Sequence, residues 1–320
     1  MRFKDANPGK IEKVRYMNNV LTAMDRSGSY RVYLAITTEL VEEARRIHST
    51  TPLATAGLGR VLTGAGLMGL LLKNPRDKVT VQFKGDGPAR QILATATGEG
   101  FVKGYIANPG AELPNKAGGK LDVGGSLGLG ELTVIKDMGL KEPYIGSIAL
   151  VSGEIADDLT AYFFISEQQN SSVALGVKIA RDYSVLAAGG MIIQMLPDAA
   201  EGAVDALEKI LDDLPPLTSI IEEAMLRSAG KTGEGLLETV SGSIFAGMPE
   251  QYQPEILGYR DLNWRCDCSM ERLEKVLIAI GRRDLQEILE EDGQAELTCQ
   301  FCEKKYFFDR EHLQRILSQM

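Results

Sequence analysis

All the cysteines of this chain lie between positions 266 and 302. Cys266-Asp267-Cys268 is a C-x-C pair, and Cys299-Gln300-Phe301-Cys302 is a C-x-x-C pair. Two closely spaced thiol pairs suit one zinc ion, each pair clamping one edge of a tetrahedral thiolate shell. This constrains the fold strongly, because a module over residues 260–320 has little room for an apolar core. A structural zinc must then supply the folding energy, on the order of 10 kcal/mol. Two roles for such a site stand open. It can simply brace a small domain, the usual role of four bare cysteines. It can also act as a redox switch, because thiolate is the oxidisable form of cysteine and oxidation to disulfides expels the ion.

The chain has 320 residues, 44% of them hydrophobic and 25% charged, with a net charge of -9, and is long enough for about two domains. No uninterrupted run of about 18 apolar residues is present, so no membrane span is expected. Residues 1–16 are charged, lack the apolar centre of a signal peptide and are expected to form a flexible extension. A cytoplasmic location follows as an expectation, and there thiols stay reduced. Charge is uneven: residues 1–196 sum to +3, residues 197–259 to -9 and residues 260–320 to -3. None of these segments is basic enough to make nucleic acid the main partner.

Residues 17–196 read as an α+β domain with a mainly antiparallel sheet and interspersed helices. A hairpin is predicted over Asn19–Ile36, turning at Asp25-Arg26-Ser27-Gly28-Ser29. Helices are predicted after Thr37 or Thr38 as cap, and from Pro52 to about Leu72. Gly64-Ala65-Gly66-Leu67-Met68-Gly69 spells GxGxxG inside the second helix. No strand leads into it, so small residues on a buried helix face explain it better than a dinucleotide loop. A meander over Lys78–Ala107 follows, then a Gly-rich loop with one short strand over 108–130. Strands are expected over 131–136, 144–151, 173–179 and 185–195, with a helix over 154–166.

Residues 197–259 read as an acidic helical linker. Asp198, Glu201, Asp205, Glu208 and Asp212 form one stripe at helical spacing, where like charges repel by a few tenths of a kcal/mol per pair. Val204, Leu207, Ile210, Leu211 and Leu214 form the opposite face. A helix of this kind is stable only while that face is docked, here expected on the N-terminal domain. Shorter helices are predicted over 218–227 and 234–240, with a break at Ser228-Ala229-Gly230. Residues 260–320 form the small C-terminal zinc-binding domain, with helices over 270–277, 283–289 and 311–317 and strands over 295–298 and 306–308.

Four blocks resemble the 33-kDa heat-shock protein family, the redox-regulated holdase chaperones of bacteria. They are Gly153-Glu154-Ile155-Ala156-Asp157-Asp158-Leu159-Thr160 with Tyr162 and Ser166-Glu167-Gln168; Ala187-Ala188-Gly189-Gly190 with Gln194; the C-x-C; and Glu291-Asp292-Gly293-Gln294-Ala295 running into the C-x-x-C. The resemblance runs from about Asn18 to the C-terminus. It implies a reduced, inactive monomer holding one Zn2+ through Cys266, Cys268, Cys299 and Cys302. Oxidation would form disulfides Cys266–Cys268 and Cys299–Cys302, release zinc, and unfold module and linker. The exposed surface would bind unfolding client proteins without ATP, and the activated form would be a homodimer.

Two rivals are weighed against this. An enzyme lacks a convincing site: His48 and His312 fall in different modules, and Gly230-Lys231-Thr232 has Met225 where a phosphate loop needs glycine. A zinc-ribbon protein binding RNA or the ribosome would have to use Arg265, Arg282, Arg283, Lys304 and Lys305 in a module of net negative charge.

Overall fold

The computed structural model describes residues 19–227 and 233–320. The extension expected over 1–16, the break at Ser228-Ala229-Gly230, and Lys231 and Thr232 lie outside the described residues. The chain is α+β, as its patterning predicts, with antiparallel sheets carrying the body.

β1 (Val20–Asp25) and β2 (Tyr30–Ile36) form the expected hairpin. Its turn is tied by the Asp25 carboxylate, which accepts from the Tyr30 and Ser27 N–H groups at 2.7 and 3.1 Å. α1 (Thr38–His48) and α2 (Pro52–Leu70) follow. Neither Thr37 nor Thr38 caps α1 through its side chain. The Thr37 hydroxyl bonds Thr63, and the Thr38 hydroxyl accepts from the Ala188 N–H, so both knit α1 to its neighbours. β3 (Lys78–Gly85), β4 (Gln91–Thr97) and β5 (Phe101–Ile106) make the meander. The Gly-rich segment holds no strand; instead Asp122 accepts from the Gly125 N–H and starts the short α3 (Val123–Leu127). β6 (Gly130–Asp137), β7 (Tyr144–Ala149), α4 (Ile155–Glu167), β8 (Ser171–Ile179) and β9 (Val185–Met195) complete the body.

α5 (Glu201–Asp212), α6 (Leu217–Arg227) and α7 (Glu234–Ile244) come next. Two strands that the sequence reading does not place follow them: β10 (Pro254–Arg260) and β11 (Asn263–Trp264). The last module holds α8 (Met270–Ala279), α9 (Arg282–Glu291), β12 (Ala295–Thr298), β13 (Lys305–Phe308) and α10 (Arg310–Gln319).

One sheet runs β10-β1-β2-β9-β8, and a second runs β11-β5-β4-β3-β6-β7. All pairings are antiparallel except β11 on β5, which is parallel. α2 packs against strands of both sheets and is buried almost all round. By length and composition alone this helix could cross a membrane; its burial makes it the central core helix. Its glycines work by close approach. A Cβ would stand 2.7 Å from Leu159 at Gly64, 2.5 Å from Leu262 at Gly66 and 2.9 Å from the Thr97 carbonyl oxygen at Gly69. Those distances are below van der Waals contact, so the GxGxxG string serves packing and no phosphate cradle.

α5, α6 and α7 belong to a second apolar cluster with the first sheet. Leu217, Ile220, Ile221, Leu237, Val240 and Ile244 are buried there against Leu21, Tyr30, Val32 and Leu34. The small module has its own core of Leu277, Leu285, Phe308, Leu313 and Ile316.

Candidate metal centre

β11 and the extended chain after it deliver the C-x-C pair, and the β12–β13 hairpin delivers the C-x-x-C pair at its turn. The hairpin turn is set by backbone bonds: the Cys299 N–H donates to the Lys304 carbonyl at 2.9 Å, and the Glu303 N–H to the Cys299 carbonyl at 2.8 Å. Glu303 takes a left-handed φ of 56°, which folds the chain tightly past Cys302. On the other side, the Ser269 hydroxyl caps α8 by accepting from the Arg272 N–H, starting a helix directly after Cys268.

The four Sγ atoms all lie within 4.8 Å of one another. Across the pairs, Cys266 lies 3.7 Å from Cys299 and Cys268 lies 3.4 Å from Cys302. A tetrahedron with metal–sulfur bonds of about 2.3 Å has edges of roughly 3.8 Å, so the donors fit a zinc thiolate shell. Cys299 is buried and the other three are half-buried. The N–H groups of Cys268 and Lys304 bond the Cys266 and Cys302 sulfurs, favouring the thiolate at each. The Tyr306 hydroxyl lies 3.1 Å from both the Sγ and the carbonyl oxygen of Cys268. Burial raises the Cys268 thiol, but hydrogen bonds from Tyr306 and the neighbouring thiols outweigh it and hold Cys268 down to about 7. Burial pushes Cys266 up, and Cys302 up to about 11. Cys266 and Cys302 thus resist ionising in the absence of a cation, and a divalent ion between the sulfurs would supply the missing charge.

The residues between and beside the cysteines face the body. Asp267 pairs with Lys103 of β5 and Arg272 of α8. Burial opposes its ionisation, but the two cations hold its carboxyl down to about 2. The Phe301 ring meets Tyr105 of β5 edge-on at 5.4 Å, with the Lys103 ammonium 4.6 Å from its centre. Glu303 lies 3.5 Å from Nδ1 of His48, whose Nε2 bonds the Gly104 carbonyl at 3.0 Å. Trp264 sits edge-on to His48 at 6.1 Å. Every segment that holds a thiol pair therefore also holds a contact to β5 or α1.

The structure brings all four sequence-predicted ligands together. It distributes the α5 face more loosely: Leu207 is buried, while Val204, Ile210, Leu211 and Leu214 are half-buried. Ile210 and Leu214 border a cleft of about 450 Å³ with Ile244 and Pro249. Sequence reasoning missed Lys103, Tyr105, His48 and Tyr306; the only available signal was the aromatic residue inside the C-x-x-C. Four of the five cations weighed for nucleic acid are engaged within the protein. Arg283 pairs with Asp284 and Lys305 with Glu296, while Arg265 covers the Phe101 ring and Lys304 the Tyr306 ring. His312 bonds Glu274 at 2.7 Å, so both histidines make structural contacts outside the thiol cluster.

The family profile described as Hsp33 protein matches residues 18–309. The chain belongs to the Hsp33 family. Relatives in that family include the 33 kDa chaperonin of Alkaliphilus oremlandii, 46% identical over 95% of this chain and 97% of that one. The 33 kDa chaperonin of Clostridioides difficile is 45% identical over 94% of this chain and 99% of its own length. The crystal structure of the Hsp33 homologue of Thermotoga maritima superposes with a TM-score of 0.79 at 32% identity, covering 95% of this chain and 98% of that one. Hsp33 membership makes the chain a chaperone and not an enzyme, with unfolded proteins as its partners. The four clustered cysteines fit that family as a metal-binding centre.

Proposed function

We propose that the chain is a redox-regulated, ATP-independent holdase of the cytoplasm, kept inactive while its four cysteines hold zinc. Cys266, Cys268, Cys299 and Cys302 are the ligands. Bound zinc would supply charge neutralisation and a cross-link between two chain segments that share little core. Each zinc-held thiolate pair would give two electrons to an oxidant such as hypochlorite or peroxide, which takes its protons from solvent and leaves as chloride and water or as water, forming Cys266–Cys268 and Cys299–Cys302. Disulfide sulfur no longer offers four thiolate donors, so the cross-link is lost and the small core of residues 260–320 cannot hold the module folded.

The observation that carries this reading is the interleaving of ligands and docking residues. Asp267 and Phe301 touch Lys103 and Tyr105 while sitting between the thiols, so the shape of the metal site is also the shape of the docking surface. Loss of that surface frees the linker over residues 197–259, and the apolar sides of α5, α6 and α7 become available to unfolding clients. Leu207 together with Val204, Ile210, Leu211 and Leu214 is the α5 part of that surface. The oxidised form is expected to be a homodimer.

The test measures zinc transfer to a chromogenic chelator alongside suppression of aggregation of a denatured client, before and after oxidation. Zinc release and client protection should rise together. Oxidised, metal-free protein that stays compact and leaves aggregation unchanged would overturn the reading. A zinc-ribbon RNA binder would have to draw on cations already engaged by Asp284, Glu296 and the Phe101 and Tyr306 rings, and would require a salt-dependent affinity for RNA.

A further inference from the structure

We propose that the outer edge of β5 is a strand-pairing site for extended segments of unfolded polypeptide, closed in this form by the chain's own residues Asn263–Arg265. The inference rests on the reading above only in that the metal module must leave for the edge to open.

β5 spans Phe101–Ile106 and is bonded along its inner edge to β4. Residues on one strand point their N–H and C=O to the same side, in alternation. The odd positions Lys103 and Tyr105 pair inward with Thr95 and Leu93. The outward carbonyls are those of Gly100, Val102 and Gly104. The first two accept from Asn263 at 2.8 Å and Arg265 at 3.0 Å, and the third accepts from His48 Nε2 at 3.0 Å. The register of Asn263 on Phe101 also places the Val102 N–H against Asn263. The chain's own backbone thus already pairs with this edge, but through a strand of two residues.

The occupant is held from the metal side. Arg265 lies over the Phe101 ring at 4.3 Å, Asp267 pairs with Lys103, Phe301 meets Tyr105, and Glu303 faces His48. Phe101, Lys103 and Tyr105 stand at alternate positions, so each outward side chain on the open sheet face is covered by one residue beside a thiol pair. Departure of that segment would leave the Gly100 and Val102 carbonyls and the Val102 N–H unpaired, with an aromatic–cation–aromatic row beside them and the Gly104 carbonyl still held by His48. An extended client segment supplies what the departing strand supplied, main-chain partners first and side chains second. A folded protein has its backbone already paired; an unfolded one does not, so the edge selects for the unfolded state.

The test is amide hydrogen exchange on the full chain, with reduced, carboxymethylated α-lactalbumin as a permanently unfolded probe. Trp264 is the single tryptophan and lies on β11, so its emission reports release of the self-strand independently. In reduced, metal-loaded protein the Val102 amide should exchange slowly. After oxidation and chelation it should exchange at least about tenfold faster, while Lys103 and Tyr105 stay protected by β4. Adding the probe should slow Val102 again by about tenfold or more. Probe bound with no slowing at this amide would overturn the strand-pairing site while leaving the chaperone reading intact. Slowing that rises with protein concentration in the absence of probe would assign the edge to a second copy and overturn it too. A slow Val102 amide and unchanged Trp264 emission after metal removal would overturn the release itself, and the proposal with it.

Discussion

Phe301→Ala separates metal binding from docking, because the ring lies between two ligands but donates to neither metal nor backbone. Its edge-on contact with Tyr105 at 5.4 Å is of a kind that contributes about 0.5–1.5 kcal/mol. The Lys103 ammonium at 4.6 Å from the ring contributes about 0.5–1 kcal/mol at a partly exposed site. With the lost apolar contact, docking should weaken by about 1–3 kcal/mol, or about 5- to 150-fold in the docked-to-undocked ratio. Zinc content after purification should be unchanged, since all four thiols remain. Transfer of zinc to a chelator should accelerate by about that factor if ligand exchange proceeds through the undocked form, and Trp264 emission should shift toward that of a solvated indole. The Lys103–Asp267 ion pair stays, so docking is weakened and not abolished. A variant whose zinc transfer and Trp264 emission match the parent within about twofold would refute the link between site shape and docking.

Cys299→Ser removes the most buried ligand, so zinc per chain should fall from stoichiometric toward zero, with loss of helical signal from residues 260–320; stoichiometric zinc by elemental analysis would contradict the ligand assignment. Leu237→Asp places a charge at a fully buried position of α7, and Leu207→Asp does so on α5; each should undock the helices and give reduced, zinc-loaded protein that already suppresses client aggregation. Arg45 bonds the Glu42 carboxylate and, against opposing burial, holds it down to about 2, with the Val185 N–H and Arg46 assisting. A lowered carboxyl stabilises the fold above the unfolded value near 4.3 and loses that contribution as pH falls toward about 2. Glu42→Gln should therefore cost roughly 1–3 kcal/mol at neutral pH and almost nothing near pH 2, measured by urea unfolding across that range.

The sequence revealed elements whose burial follows a simple period. β3, β4 and β5 alternate buried and half-buried residues along their length, and the alternation is plain in the letters. The cysteines were legible because they are few and paired. β10 was not, because it is an edge strand that starts on a proline, contains Gly258 and leaves Ile256 and Leu257 exposed, so no buried face marks it. β11 is too short to carry any pattern. The α5 face stood out because an acidic stripe opposes it, yet the deeper burial belongs to Ile221, Leu237 and Val240 on α6 and α7, where no stripe announces it. Lys103 and Tyr105 read like any other outward residues of a sheet. Only the path of residues 260–303 in space distinguishes them, and no local rule predicts that path.

β10 joins the helix layer to β11, and β11 leads within two residues to the first thiol pair. The three stand in series along one covalent thread, like teeth of a fastener with its slider at the C-terminal end. Undoing should begin at the two-residue strand, pass to the seven-residue strand on β1, and only then reach α7. On the proposed switch, a brief oxidative pulse would open the first tooth alone and a sustained one the whole row, so the response would scale with how far along the thread the disturbance travels.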